Sequence, residues 1–144
     1  MVLGQRRDPY RNFNFLVEID GVTGAGFSEV KGLETETEVF EYREGGLNTY
    51  IHKLPTQTKY SNITLKRGVT DSAELWQWQN KAAEGKVERK SGSIILLNER
   101  REEKVRWNFR EGWPTKWIGP DLKADGNEVA VEILEIAHEG IERA

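Results

Sequence analysis

Alternation of apolar and polar residues at every second position dominates the chain and predicts a mainly β fold. In the first such stretch, residues 13–19, the side chains of Phe13, Phe15, Val17 and Ile19 share one face. A period of two places alternate side chains on opposite faces of a strand, so this stretch predicts a half-buried strand. Strand patterns of the same kind follow at residues 27–42, 61–69, 87–97, 104–117 and 128–141. Short connections between the runs favour antiparallel pairing.

A single helix is predicted over about residues 71–84. Apolar residues recur there at helical spacing, and Thr70 or Asp71 can cap the first turn. Glu74 stands three residues after Asp71, as in a capping box. Gly85 follows the last helical residue and is suited to end the helix.

The remaining segments define the domain organisation. Residues 1–12 are polar, contain Pro9 and are predicted as an N-terminal arm, whereas residues 13–144 form a single β domain. Residues 43–58 are predicted as a long loop, which holds Gly45, Gly46, Leu47, Tyr50, Ile51 and Leu54. Long loops with apolar side chains are usually functional or packed against something, so this loop is the first candidate for a contact surface.

Composition narrows the function classes. A chain of 144 residues suits one domain with a full core. The absence of cysteine excludes disulfides, thiol catalysis and cysteine-held metals. The net charge of −3 argues against a nucleic-acid binder that works through positive charge. No apolar run approaches the roughly 20 residues that cross a bilayer, and the opening segment has no signal-peptide core, so we expect synthesis in the cytosol without stable membrane insertion.

Candidate chemistry is weak along the whole sequence. Residues 121–132 resemble an EF-hand loop, but Lys123 occupies a ligand position and a strand pattern follows, which favours a hairpin turn. The histidines His52 and His138 are far apart in sequence and seed no metal site. Alternate glutamates at residues 34–38 are most simply a hydrated strand face. We therefore predict no catalytic residue, no cofactor and no metal, and we predict that the protein is not an enzyme.

Several motifs, taken in order, resemble the tail tube protein family of contractile-tailed phages. The family includes the inner tube proteins of extracellular contractile injection systems and is similar in fold to the type VI secretion tube protein. The motifs are FSEVKGL at 27–33, EYREGG at 41–46, LP at 54–55, LKRGVT at 65–70 and LWQW at 75–78. The resemblance covers residues 13–141. It implies two packed antiparallel sheets with one flanking helix, a small barrel or sandwich that joins its neighbours in a ring with a continuous inter-subunit β-barrel.

The resemblance also implies roles for particular residues. Trp78 would anchor the helix to the sheets. The implied subunit and ring contacts are Arg6, Arg7, Tyr10, Tyr42, Arg43, Glu44, Gly45, Gly46, Leu47, Tyr50, Ile51 and Leu54. Candidates for the lumen wall are Glu36, Glu38, Thr64 and Lys66.

The function that follows from the resemblance is structural. Stacked hexameric rings would form an inner tube that holds or conducts cargo and is driven through a target envelope by sheath contraction. The implied partners are other copies of the chain, a sheath protein, baseplate and terminal cap proteins, and cargo protein or DNA. Assembly is expected in the cytoplasm of the producing cell, as part of a phage tail-like particle or virion, with release from the cell as a further option.

Two alternatives remain open at the level of sequence. A phage tail tube that conducts DNA belongs to the same class, because acidic lumen groups would let a genome slide, whereas a mixed-charge wall suits a protein cargo. A monomeric β module that binds a peptide or glycan through the Tyr50 and Trp113 regions belongs to another class.

Overall fold

The computed structural model describes residues 9–20, 22, 26–46 and 50–144. The elements within these residues are β1 (Phe15–Ile19), β2 (Phe27–Lys31), β3 (Thr35–Tyr42), β4 (His52–Tyr60), β5 (Ile63–Gly68), α1 (Glu74–Ala83), β6 (Lys90–Leu97), β7 (Glu103–Ile118), β8 (Val131–Ala137) and β9 (Gly140–Arg143). All strand pairs are antiparallel. The prediction of a mainly β fold with one helix is confirmed.

Two four-stranded layers share the long strand β7. Sheet 1 has the order β1-β6-β7-β9, and sheet 2 has the order β7-β8-β5-β2. The first part of β7 pairs with β6 and β9, and its last part, from Trp113 onwards, pairs with β8. The strand changes layer near Glu111, whose φ is 54°, where the register with β6 also shifts.

The two sheets form a sandwich that stays open on one side. Its path of paired strands runs from β1 to β2, and these two end strands are not hydrogen-bonded to each other in the described part of the chain. The expected pair of packed antiparallel sheets is confirmed, whereas a barrel closed within one subunit is not formed. A sheet that ends on two free strands keeps backbone groups available for pairing with another chain.

The core lies between the inward faces of the two sheets and is capped by the helix. Phe109 of sheet 1 packs in one cluster with Leu65 and Leu134 of sheet 2 and with Leu75 and Trp78 of α1. Burying each such side chain contributes about 1.5 to 3 kcal/mol, so the core accounts for much of the stability of the sandwich.

The helix is shorter than the predicted span of 71–84 and begins differently. It begins at Glu74 after an Ala73 N-cap that offers no side-chain hydrogen bond, so the predicted capping box is wrong. The hydroxyl of Thr70 instead accepts a hydrogen bond from the Ser72 amide, in a turn before the helix. The predicted stop at Gly85 is confirmed, because Gly85 has φ +84° and the closing bonds run from residue 85 to 82 and from residue 86 to 81.

The predicted loop at 43–58 is wrong over its second half. Residues 52–60 form β4, which pairs with β3 in a separate two-stranded hairpin, and only residues 43–51 connect the two strands. Both faces of this hairpin are largely exposed, so its sequence lacks the apolar alternation that marks a half-buried strand. Pro55 faces Val39 across the ladder, which an edge strand tolerates.

Two other features bear on the sequence predictions. Residues 9–14 contain no strand or helix, and residues 1–8 of the predicted arm lie outside the described residues. None of the helices found in the described ranges has the length and apolar character that crossing a membrane requires.

Candidate assembly surface

The β3–β4 hairpin presents aromatic side chains on one face of its outer half. Rings of Phe40 and Tyr42 lie 6.4 Å apart, and Tyr42 stacks on His52 at 5.0 Å. Tyr50 meets His52 edge-on at 4.8 Å, and Leu54 is the ladder partner of Phe40. We call these five residues the hairpin aromatic surface.

The hairpin aromatic surface is open to solvent. Phe40 and Tyr50 are each 55% exposed, and Leu54 is 45% exposed. Apolar groups gathered on one exposed face usually mark a surface that another molecule covers. Aromatic side chains supply most of the contact area at such places because they are large and rigid.

The inner half of the same face is polar. Glu38 accepts a hydrogen bond from Gln57 at 3.1 Å and forms an ion pair with Lys59. Hydrogen bonding to the Lys59 ammonium, followed by that to Gln57, holds the pKa of the Glu38 carboxyl below its usual value. The same hydrogen bond raises the pKa of Lys59. One face of the hairpin is therefore divided into a charged inner part and an aromatic outer part.

The connecting segment holds the remaining predicted contact residues. Arg43, Glu44, Gly45 and Gly46 follow β3, and the Glu44 carboxylate lies 3.4 Å from Nε2 of His52. Ile51 is exposed immediately before β4. The predicted contacts at Leu47, Arg6 and Arg7 lie outside the described residues.

The structure separates the four predicted lumen residues. Glu36 and Glu38 belong to β3 of the hairpin, whereas Thr64 and Lys66 belong to β5 in sheet 2. Thr64 and Lys66 alternate with the buried residues of β5 and therefore lie on the outer face of sheet 2. Their assignment to a lumen remains a prediction.

The outer faces of both sheets carry charges of both signs in pairs. On sheet 1, Arg106 donates hydrogen bonds to Glu103 at 2.6 Å and to Glu18 at 3.3 Å, and these partners raise the pKa of its guanidinium. On sheet 2, Glu29 lies 2.9 Å from Lys31 and 3.9 Å from Lys66. Lys31 is the main cause of a lowered pKa at Glu29.

An apolar groove follows the open side of the sandwich. It has a volume of about 490 Å³ and lies between β1 and β2. Its lining includes Phe15, Val30, Leu33, Leu96 and Trp107, together with the predicted contact residue Tyr10. The groove and the hairpin aromatic surface are both exposed apolar features of the described part of the chain.

Trp78 joins the helix to the sandwich, where the resemblance placed it. Its side chain is 3% exposed, its indole N–H donates to the Glu88 carbonyl at 2.7 Å, and the Lys90 ammonium lies 5.7 Å from its ring centre. Trp113, the other half of the alternative binding region, lies on β7 of the sandwich, whereas Tyr50 lies in the segment that precedes β4 of the hairpin.

The weak metal pattern at residues 121–132 is not supported by side-chain positions. Glu132, which would supply the last ligand, pairs with Arg67 inside the sandwich. Within the described ranges, no group of three or more His, Asp or Glu side chains is placed to hold a metal ion.

Sequence reasoning missed two members of the hairpin aromatic surface. Phe40 lies near the end of the predicted strand at 27–42 and His52 in the predicted loop at 43–58, and neither is among the contact residues that the resemblance implies. The spacing of Phe40 and Tyr42 was a usable signal, because residues two apart share a face of a strand. His52 could be placed beside them only once β4 was recognised.

Several solved structures have a similar fold. In the cryo-EM structure of an extracellular contractile injection system, the PVC sheath-tube complex in the extended state, one chain is 30% identical, with a TM-score of 0.84 over 94% of this chain and 91% of that one. A chain in the anti-feeding prophage (AFP) baseplate structure is 25% identical, with a TM-score of 0.86 over 96% and 97% of the two chains. Hcp1 from Flavobacterium johnsoniae, at 18% identity and a TM-score of 0.57 over 91% and 94%, shares the fold.

By fold, the chain is thus similar to chains of the PVC sheath-tube complex and of the AFP baseplate. The profile of the T4-like virus tail tube protein gp19 matches residues 11–142, and the chain belongs to this family. No curated protein sequence matches it closely enough to count as a relative. The family predicted from the motifs is confirmed.

Proposed function

We propose that the protein assembles into stacked hexameric rings that form the inner tube of a contractile injection system. A sheath would surround the tube, and its contraction would drive the tube through a target envelope. The similarity to a chain of the PVC sheath-tube complex supports this proposal, as do the matches in baseplate and cap structures of related particles.

The exposed hairpin is the observation that carries the assembly proposal. It forms its own sheet outside the sandwich and presents the hairpin aromatic surface to solvent. Covering side chains such as Phe40 and Tyr42 with a neighbouring subunit would contribute about 1.5 to 3 kcal/mol for each one fully buried. A hairpin that contacts a different surface on the next subunit makes a heterologous contact, which closes into rings or extends into filaments.

The open sandwich supports the same assembly. Its end strands β1 and β2 can continue the sheets into neighbouring subunits, which would give one barrel around a lumen and remove exposed strand edges. The groove beside them would be covered in such a ring. Tyr10 of the predicted arm lines this groove, and the arm would add contacts between rings.

We infer that the cargo is protein rather than DNA. The outer face of each sheet carries paired charges of both signs, as at Arg106 with Glu103 and at Lys31 with Glu29. A lumen lined by either face would neither attract nor strongly repel a polyanion, and it offers donors and acceptors to a folded protein. A tube that conducts a genome is the second choice.

The role we propose is mechanical, without hydrolysis and without insertion into a membrane by the tube subunit itself. Its partners would be other copies of the chain, the sheath, the baseplate, a terminal cap and the cargo. Assembly would take place in the cytoplasm of the producing cell before any release.

Negative-stain electron microscopy of the concentrated protein tests this proposal. We expect hollow stacked rings for the unchanged chain, and their loss in the double variant Phe40→Ser/Tyr42→Ser. The matched control is Thr37→Ser/Thr58→Ser, which changes a hydrogen-bonded pair elsewhere on the exposed hairpin and should keep the rings. Rings that survive Phe40→Ser/Tyr42→Ser would overturn the role of the hairpin. Single subunits in every sample, confirmed by light scattering, would instead favour the monomeric binding module.

A further inference from the structure

The hairpin is a continuation of sheet 2 that is interrupted at one place. β2 pairs with β5, and β3 pairs with β4, so the two ladders form a single ribbon. The interruption consists of residues 32–34 on one side and residues 61–62 on the other, which we call the joint. The direction in which the hairpin leaves the sandwich is set there.

Gly32 allows the two sides of the joint to approach closely. Its φ is +95°, in the region that side chains other than glycine rarely adopt. A Cβ atom added to Gly32 would overlap the carbonyl oxygen of Asn62 and would lie 3.2 Å from Cα of Ile63. Both obstacles are backbone atoms, so any larger residue must change the path of the chain at the joint.

Backbone pairing across the joint is weak. The Ser61 amide donates to the Glu34 carbonyl at 3.4 Å, which is long for such a bond. The carbonyl of the same Ser61 accepts a shorter bond of 2.9 Å from Nε2 of His138, which follows β8. A carbonyl is only an acceptor, so Nε2 of His138 must carry the hydrogen.

The His138 ring also connects the hairpin to the core by packing. Its centre lies 5.8 Å from the ring of Tyr60, the last residue of β4, and 6.1 Å from the ring of Phe109 in the core. Nδ1 is buried and has no hydrogen-bond partner among the described residues, so Nε2 makes the ring's hydrogen bond. One side chain thus contacts the end of the hairpin, the joint and the core.

We propose that His138 is a positioning residue that, together with Gly32, fixes the angle between the hairpin and the sandwich. This inference rests on the proposed function, because a hairpin that bridges subunits binds best when it is already held in the bound orientation. Without the bond to Ser61, the weak pairing at the joint would let the hairpin swing. The hairpin aromatic surface would then be intact but presented over a range of directions.

Pulsed electron-spin resonance on single subunits measures this angle directly. The chain contains no cysteine, so Lys53→Cys on the hairpin and Lys104→Cys on β7 give one labelled pair. We expect a narrow distance distribution in the otherwise unchanged chain and in His138→Gln, whose amide can still donate to Ser61. In His138→Phe, which keeps a ring but cannot donate, we expect loss of the single narrow distance, while circular dichroism at the measuring temperature still shows a folded β protein.

Gly32→Ala is an independent test of the joint, and Gly85→Ala is its matched control. We expect a shifted or broadened distance for Gly32→Ala. Gly85→Ala should leave the distance unchanged, because Gly85 has a similar φ of +84° but nothing within 4 Å of an added Cβ. This control separates backbone strain in general from obstruction at the joint.

The outcomes distinguish this inference from the proposed function. A broad distribution in the unchanged chain, or a narrow and unshifted one in both His138→Phe and Gly32→Ala, would overturn the role of the joint. These measurements use unassembled protein, so they stand whether or not tubes form. Failure of the unchanged chain to form tubes, with the expected distances intact, would overturn the proposed function alone.

Discussion

Arg67 and Glu132 face each other across β5 and β8, and their side chains meet at 2.8 Å inside the sandwich. Their side chains are only 5% and 6% exposed, so the charges are almost fully removed from water. The guanidinium also lies 5.6 Å from the ring of Phe27 on β2. One buried ion pair therefore joins β5 to β8, and its guanidinium contacts β2, at the same end of sheet 2.

Removing one member of this pair should be more damaging than removing both. Arg67→Met leaves a buried, unpaired carboxylate at Glu132 and should lower the free energy of unfolding by about 3 to 5 kcal/mol. Arg67→Met/Glu132→Leu removes both charges and should recover most of that loss. Urea titration of the two variants checks the order, and a double variant that is less stable than Arg67→Met would contradict it.

The ring of Phe109 occupies the space that a side chain at position 92 would need, so this position requires glycine. A Cβ atom at Gly92 would overlap that ring and lie 2.7 Å from the Glu18 carbonyl oxygen, so we expect Gly92→Ala to destabilise the fold by about 1 to 3 kcal/mol. Gly68→Ala on β5 is the control, because its Cβ would meet Val129 at an ordinary 3.8 Å. Chemical denaturation should show a change within about 0.5 kcal/mol for the control. Equal losses in the two variants would show that crowding at Phe109 is not the cause.

The two tryptophans of α1 should differ in importance. Trp78→Phe removes the indole N–H from a part-buried hydrogen bond to the Glu88 carbonyl and should lower stability by about 1 to 3 kcal/mol, because the carbonyl loses its partner. Trp76→Phe changes a side chain that is 46% exposed and should have little effect on the thermal midpoint. Thermal unfolding followed by circular dichroism compares the two variants. A larger loss for Trp76→Phe would contradict the placement of the helix.

The free energy of unfolding should fall in acid, because the folded chain lowers the pKa of two glutamates. Hydrogen bonds from Arg106 lower the pKa of Glu103, and hydrogen bonds from Lys81 and then Lys90 lower the pKa of Glu88. Because these values are lower in the folded chain, the contribution is present above the ordinary glutamate value of 4.5 and is lost as the pH falls below it. Urea midpoints measured from about pH 6 to about pH 3 should decrease, and less steeply in Glu103→Gln.

Salt provides the check on that prediction. The carboxylates of Glu103 and Glu88 are exposed, so added salt should weaken their attraction to the neighbouring cations and flatten the acid dependence. An acid dependence that is the same at low and high salt, and the same in Glu103→Gln, would mean that other groups are responsible.

The sequence predicted those parts of the fold in which one face is buried. The alternation in 104–117 matched β7 because its residues pack on the core, and Gly85 ended the helix because a positive φ is needed there. The pattern at 128–141 matched β8 and β9 but not the break at His138 and Glu139. A break inside an alternating run depends on tertiary contacts, which no local pattern contains.

The β3–β4 hairpin and the hairpin aromatic surface could not be predicted from local sequence patterns. β4 has polar residues on both faces, so its sequence shows no alternation of apolar and polar residues. Without that pattern, His52 could not be placed beside Phe40 and Tyr42. The start of α1 was misplaced because a capping pattern at Asp71 competed with the turn that Thr70 forms with Ser72. The pairing of Arg67 with Glu132 joins residues 65 positions apart, which only the register of β5 and β8 defines.

The sharing of β7 by both sheets has a consequence for how the subunit would bear load. A force applied to sheet 1 reaches sheet 2 along one unbroken backbone, rather than through side-chain contacts across the core. Sliding one layer over the other would require breaking the ladders on both sides of the same strand at once. A subunit built in this way should resist sliding of one sheet over the other, because the two sheets are joined covalently through β7.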